Sequence, residues 1–139
     1  MDKIGIIGNG FVGNAIHQGM KDYFDVLVYD SIPEKKINTF ARVNELEIIF
    51  ICVPTPMTED GAFDLSIVKE VINRLSSNKI LIIKSTITPQ AAETLIEKFP
   101  NQRFVFNPEF LTERTAVRDF QNPARIVLGG NDHNSVQKV

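Results

Sequence analysis

The chain has no tryptophan, one cysteine and two histidines among its 139 residues. A single cysteine excludes an internal disulfide framework and suits a reducing compartment. No cluster of histidine, cysteine and acidic residues shows ligand spacing, so no metal site is expected. Fifteen basic and seventeen acidic residues leave a formal charge of −2. No block of like charge marks a nucleic-acid or membrane surface, and neither partner is expected. No apolar run approaches the ~18 residues of a membrane helix. The N-terminus lacks a basic stretch leading into an apolar one, so the expected location is cytoplasmic. Internal repeats and low-complexity tracts are also lacking. What the chain has is 43% hydrophobic composition at a length suited to one domain with a real core.

The most informative stretch is Lys3 to Met20, KIGIIGNGFVGNAIHQGM. Ile4, Ile6 and Ile7 form a β-branched run ending on Gly8. The segment Gly8-Asn9-Gly10-Phe11-Val12-Gly13 then leads into Val12, Ala15, Ile16, Gly19, Met20 and Tyr23, spaced three and four residues apart as on a helix face. A glycine fingerprint at a strand-to-helix turn has a mechanical reading. Gly8 permits the tight turn, Gly10 leaves room for a pyrophosphate against the backbone, and Gly13 lets the helix approach the strand. The helix N-terminus would then face the phosphates with unpaired N–H groups. A second apolar run, Val26 to Tyr29, ends on Asp30, where an acidic residue would hold a ribose 2′-hydroxyl and repel a 2′-phosphate. NAD is therefore expected over NADP. The competing explanation, glycines serving only a tight turn and Asp30 a solvated carboxylate, leaves the agreement of motif, context and acid unexplained.

After Asp30 a polar stretch holds one or two helical turns beginning near Pro33. Leu46 to Val53 is a nearly continuous apolar run, as expected of a central parallel strand. Pro54-Thr55-Pro56 ends it in an extended loop. Leu65, Val68, Ile72 and Leu75 mark a helix, and Lys79 to Lys84 the next buried strand, delivering Ser85-Thr86 to the same edge as the proline loop. Thr88 is a candidate N-cap, with Pro89 at the first helical position and Ala92, Leu95, Ile96 and Phe99 on one face. Short strands follow at Arg103–Phe106 and Arg125–Leu128, and Asp132 to Val139 reads as a helix start. This alternation predicts a single α/β domain over residues 1–139, a Rossmann-type doubly wound parallel sheet.

That topology brings four segments to one edge: the glycine turn, Val53 to Pro56, Lys84 to Thr86, and Asn107 to Glu113. Glu109 and Glu113, four residues apart, share a face if their segment is helical. Either one acts as a base while the other binds, or Glu109 is an acid favoured by the helix dipole and Glu113 is solvated. Thr86 either offers its hydroxyl to a ligand or satisfies its own turn. Cys52, inside an apolar strand, reads as a small hydrophobe rather than a nucleophile, because apolar surroundings raise a thiol's pKa.

Taken together, Gly8 to Gly13, Cys52-Val53-Pro54-Thr55-Pro56, Lys84-Ser85-Thr86-Ile87, Asn107-Pro108-Glu109-Phe110-Leu111 with Glu113, and Asp119-Phe120 through Pro123 to Arg125-Ile126-Val127 resemble the UDP-glucose/GDP-mannose dehydrogenase family. That family oxidises the C6 alcohol of a nucleotide sugar to a carboxylate in two NAD-dependent steps through cysteine-bound intermediates. The resemblance implies that Gly8, Asn9, Gly10, Phe11, Val12 and Gly13 hold the pyrophosphate, and that Asp30 and Lys35 hold the adenosine end. It implies that Val53, Pro54, Thr55, Pro56, Ser85 and Thr86 line the nicotinamide side. Glu109 would be the acid/base glutamate, and Glu113 a contact of the cofactor near the substrate.

The chain also departs from the family pattern. Family members continue into a linker domain and a second domain that carry the nucleophilic cysteine. This chain is expected to correspond to the N-terminal cofactor domain alone, meeting a nucleotide sugar only with a complementary domain and exposing apolar surface to a second copy or partner chain. The region between Asp30 and Cys52 is short for the family, which predicts that its helix and third strand are pruned. Thr112 and Arg114 stand where the family often has arginine and glycine. Two other readings are a non-catalytic NAD-binding module and the cofactor domain of a hydroxyacid dehydrogenase. The proline loop and Asn107 to Leu111 argue against the latter.

Overall fold

The computed structural model describes residues 1–108, 113–121 and 128–139. Its first strand, β1 (Lys3–Ile7), is followed by α1 (Phe11–Met20) and β2 (Asp25–Tyr29). A 3-10 turn at Pro33–Lys35 and the short α2 (Phe40–Asn44) lead to β3 (Ile48–Ile51). Then come α3 (Ser66–Arg74), β4 (Ile80–Ile83), α4 (Pro89–Lys98) and β5 (Arg103–Phe106). A second 3-10 turn (Glu113–Thr115), α5 (Ala116–Gln121), β6 (Gly129–Gly130) and α6 (His133–Lys138) complete the described elements. The strands form one sheet in the order β2-β1-β3-β4-β5-β6.

Alternation of side chains along the strands divides the apolar residues between two faces. Ile49, Ile51, Leu81, Ile83 and Phe104 meet Val43 of α2, Val68 and Ile72 of α3 and Leu95 of α4. Ile4, Ile6, Phe50, Ile80, Ile82 and Val105 meet Ile16 of α1, with Phe120 of α5 and Val136 of α6 packed alongside. Helices on both faces make the sheet doubly wound. Near-continuous apolar runs suit β3 and β4 because both of their faces are covered. Each large aliphatic side chain enclosed in this way contributes about 1.5–3 kcal/mol.

The local signals at α4 hold: the Thr88 side chain accepts the Ala91 N–H and Pro89 starts the helix. Three sequence expectations need correction. Tyr23 does not continue the apolar face of α1, because the helix stops at Met20 and the side chain is 73% exposed. The Tyr23 and Phe24 amides both turn back to the Met20 carbonyl, and Phe24 takes the place against the core. Second, the sheet is not parallel throughout: β1 to β5 are parallel, but β6 runs antiparallel to β5. Gly129 pairs with Phe106 and Gly130 with Val105, so the returning chain enters at the carboxyl end of β5 and must run downward. Third, the last strand is Gly129–Gly130, with Leu128 outside it; residues 125–127 of the expected strand lie outside the described residues. Among the described residues no helix is long and apolar enough to cross a membrane.

Candidate cofactor-binding site

The site begins at the β1–α1 turn, where the backbone leaves no slack. Gly8 has φ +100°, and a Cβ there would lie 2.7 Å from the Cys52 carbonyl carbon. A Cβ on Gly13 would fall 1.8 Å from the Gly8 carbonyl oxygen. These two glycines are therefore steric requirements of helix against strand. Gly10 differs, because a Cβ there would meet nothing within 4 Å. It opens the first turn of α1, which has no side-chain cap and no acidic residue. The result is an uncapped helix N-terminus with open space in front of it, a setting that favours an anion.

Opposite this turn the proline loop and the end of β4 complete a cleft of about 370 Å³, lined by Gly10, Phe11, Val12, Cys52, Val53, Pro54, Thr55, Lys84, Ser85 and Thr86. Hydroxyl groups fasten its two loops together. Ser85 Oγ donates to the Val53 carbonyl at 2.7 Å, and Thr55 Oγ1 to the Thr86 carbonyl at 3.1 Å. Three of the four expected segments thus meet at one edge, and the fourth reaches it through Asn107, whose Oδ1 accepts from Lys84 Nζ. Pro56 does not line the cleft; its carbonyl accepts the Asp64 N–H and anchors the outer loop.

Asp30 stands at the end of β2 beside the glycine turn. Its Oδ2 accepts the Asn9 N–H at 2.7 Å and its Oδ1 the Ile32 N–H at 2.8 Å, leaving further lone pairs on both oxygens. Asn9 Nδ2 donates to the Lys35 carbonyl at 2.9 Å. The acid and the lysine assigned to the adenosine end therefore lie on one segment tied to the turn. Glu109 lies outside the described residues, and Glu113 opens the 3-10 turn before α5.

Sequence reasoning passed over Lys84 as a site residue. It is 4% exposed at the end of an apolar strand, and a lysine there signals a charge held by a partner, here Asn107. Among the described residues no group of His, Cys and acidic side chains could hold a metal ion. A nicotinamide dinucleotide fits this site on three counts: open space at Gly10, a first turn of α1 with no side-chain cap, and a carboxylate one strand away.

The chain is similar to known dehydrogenases. The UDP-glucose 6-dehydrogenase of Rickettsia felis is 43% identical over 103 residues, 66% of this chain and 23% of that protein. TuaD, a UDP-glucose 6-dehydrogenase of Bacillus subtilis, is 26% identical over 178 positions that take in 97% of this chain and 39% of the relative. The chain spans between a fifth and a quarter of the length of the first relatives it matches. In fold it is similar to the UDP-glucose dehydrogenase from Pyrobaculum islandicum, with a TM-score of 0.85 at 22% identity, covering 99% of this chain and 43% of that one. Residues 25–139 match the model of the UDP-glucose/GDP-mannose dehydrogenase family, NAD binding domain, and the chain belongs to that family.

Proposed function

We propose that the chain binds NAD at the carboxyl edge of β1, β3 and β4 and serves as the cofactor domain in oxidation of the C6 alcohol of a nucleotide sugar toward the carboxylate. The observation that carries this reading is the open space at Gly10 in front of an uncapped, ten-residue α1. The pyrophosphate rests against the amides of Gly10 to Gly13, with Gly8 and Gly13 holding the turn and Asn9 and Phe11 flanking it. Asp30 accepts the adenosine ribose hydroxyls, and its charge disfavours a 2′-phosphate, which selects NAD. Lys35 stands near the same ribose. When bound, NAD supplies a hydride acceptor at its nicotinamide ring.

The chain's own residues orient that ring. Ser85 and Thr55 brace the loops by donating to backbone carbonyls, so Val53, Pro54 and Thr55 form a fixed wall, with Pro56 anchoring the loop behind it. Thr86 gives its carbonyl to the brace and leaves its hydroxyl uncommitted among the described residues, available to the reacting side of the ring. Glu113 contacts the cofactor, and Glu109 is the acid/base group; both assignments rest on the resemblance. Cys52 is held by its amide to the Ile7 carbonyl at the root of the cleft. On the family resemblance, the nucleophilic thiol of the two-step oxidation comes from a complementary polypeptide segment, as does most of the sugar-nucleotide site. The working location is the cytoplasm.

Calorimetric titration with NAD and NADP tests the reading. Saturable NAD binding is expected, weaker binding of NADP, and a loss of about ten- to a hundredfold in Asp30→Ala, since hydrogen bonds to a carboxylate are worth ~1.5–3 kcal/mol. Silence at millimolar NAD would overturn it.

A further inference from the structure

The crossover from β2 to β3 occupies only residues 30–47, with one 3-10 turn and a five-residue helix. So short a crossover adds no strand beyond β2, which is the edge of the sheet. The Asp25 amide and the Tyr29 carbonyl turn toward the β1 side, bonding to the Asp2 carbonyl and the Gly8 amide. By alternation, Val28 turns its backbone groups outward, where another strand could pair.

Asn38 takes that place. The Val28 N–H donates to Asn38 Oδ1 at 2.8 Å, and the Asn38 N–H donates to the Val28 carbonyl at 2.7 Å. One asparagine thus supplies the pair of hydrogen bonds that a residue of a neighbouring strand would supply. At the other end of the segment, the Asn9 amide clasps the Lys35 carbonyl at 2.9 Å, while the Asn9 backbone N–H holds Asp30. Hydrophobic anchoring is lacking between the two clasps. Residues 31–37 are all exposed, the 3-10 turn buries nothing, and Ile32 and Ile37 are 46% and 58% exposed. The position of Ile32, whose N–H fixes Asp30 Oδ1, therefore depends on hydrogen bonds.

We propose that Asn9 and Asn38 are positioning residues for the adenosine end of the cofactor: Asn38 pairs the open edge of β2, the Asn9 side chain clasps Lys35, and together they hold residues 31–38 so that the Asp30 carboxylate stays aimed beside the glycine turn. The inference rests on the NAD reading above and deepens it. Neither amide touches the cofactor in this scheme; each acts through Asp30. Asn38 serves through an acceptor oxygen, whereas Asn9 serves through a donor nitrogen. Aspartate should therefore substitute at position 38 and fail at position 9.

The test titrates the full chain and its Asn38→Ala, Asn38→Asp, Asn9→Ala and Asn9→Asp variants with NAD, AMP and nicotinamide mononucleotide, and follows amide exchange at Val28. Asn38→Ala should weaken NAD and AMP by the same factor, roughly three- to tenfold for one lost hydrogen bond, leave the mononucleotide unchanged and speed exchange at Val28. Asn38→Asp should restore both affinity and protection. Both Asn9 variants should weaken NAD and AMP with Val28 still protected. Wild-type chain that ignores NAD would overturn the cofactor reading itself. Wild-type binding with unaltered AMP affinity in both alanine variants overturns the positioning role alone, as does an equal loss of AMP and mononucleotide.

Discussion

The two crossovers that flank the cleft are built on opposite principles. From β1 to β2 the chain passes through a ten-residue helix whose approach is set by backbone contact, with a Cβ on Gly13 excluded at 1.8 Å. From β2 to β3 it passes through an exposed segment held by the side chains of Asn9 and Asn38, then a five-residue helix that Thr39 caps and Val43 anchors in the core. The first crossover is rigid because nothing larger than hydrogen fits at Gly13; the exposed part of the second, residues 31–37, holds its place through bonds that are each worth about 1 kcal/mol. Substitutions in the first should therefore act all at once, and those in the second by increments.

The largest effect is expected at Gly13. Alanine there drives a methyl carbon into the Gly8 carbonyl oxygen, which is backbone and can yield only by moving helix against strand. A loss of more than ~3 kcal/mol is expected, read as a collapse of the thermal transition. An unchanged melting temperature would show that the first crossover has slack and would break the comparison. Gly10→Ala is the matched control in the same motif. Its Cβ meets open space and its φ of −78° suits any residue, so the stability cost should stay below ~1 kcal/mol. NAD affinity should nevertheless fall about tenfold or more as the methyl occupies the pyrophosphate's place. Loss of stability without loss of binding at Gly10 would reverse the roles assigned to the two glycines.

In the second crossover, Thr39 caps α2 by accepting the Arg42 N–H at 3.3 Å. Thr39→Ala should cost about 1 kcal/mol in a denaturant titration, with Thr39→Ser retaining most of it. A cost of several kcal/mol would mean that this crossover is as tightly determined as the first.

The same contrast decides what could be seen in the sequence alone. The glycine turn, the β3 and β4 runs and the Thr88-Pro89 cap are local: each follows from a few consecutive residues and the sterics or capping they allow. Three segments of the cleft were legible because parallel crossovers deliver every strand's carboxyl end to one edge. The direction of β6 was not, since it depends on where the chain re-enters the sheet after α5. Tyr23 was misplaced because periodicity cannot show that the amides of Tyr23 and Phe24 both turn back on Met20. Asn38 carried no signal at all. An asparagine in a polar stretch looks like any turn residue until the edge of β2 lies ten positions away with its hydrogen bonds open. Lys84 was visible as a lysine after apolar residues, but only the fold supplies Asn107 as its partner.

The smallest expected effect lies at the foot of the second crossover, where Glu47 receives Lys138 Nζ from α6 at 2.9 Å and Arg103 from β5 at 3.3 Å. The Lys138 hydrogen bond chiefly holds the Glu47 carboxyl below its ordinary value of 4.5, with Arg103 adding to the effect. A carboxyl with a lowered folded pKa binds fewer protons folded than unfolded across the interval, so stability rises with pH there. The contribution is complete above 4.5 and is lost as pH falls through the lower folded value. Both partners are solvent-facing, which limits the pair to a few tenths of a kcal/mol at moderate salt. Wild type and Glu47→Gln should therefore differ slightly in melting temperature near neutral pH and converge as acid takes the pH through the lowered folded value, and the difference should shrink with added salt. A gap that persists in acid would mean that Glu47 holds α6 through packing rather than charge, and that the end of this crossover is fixed more like the β1–α1 turn.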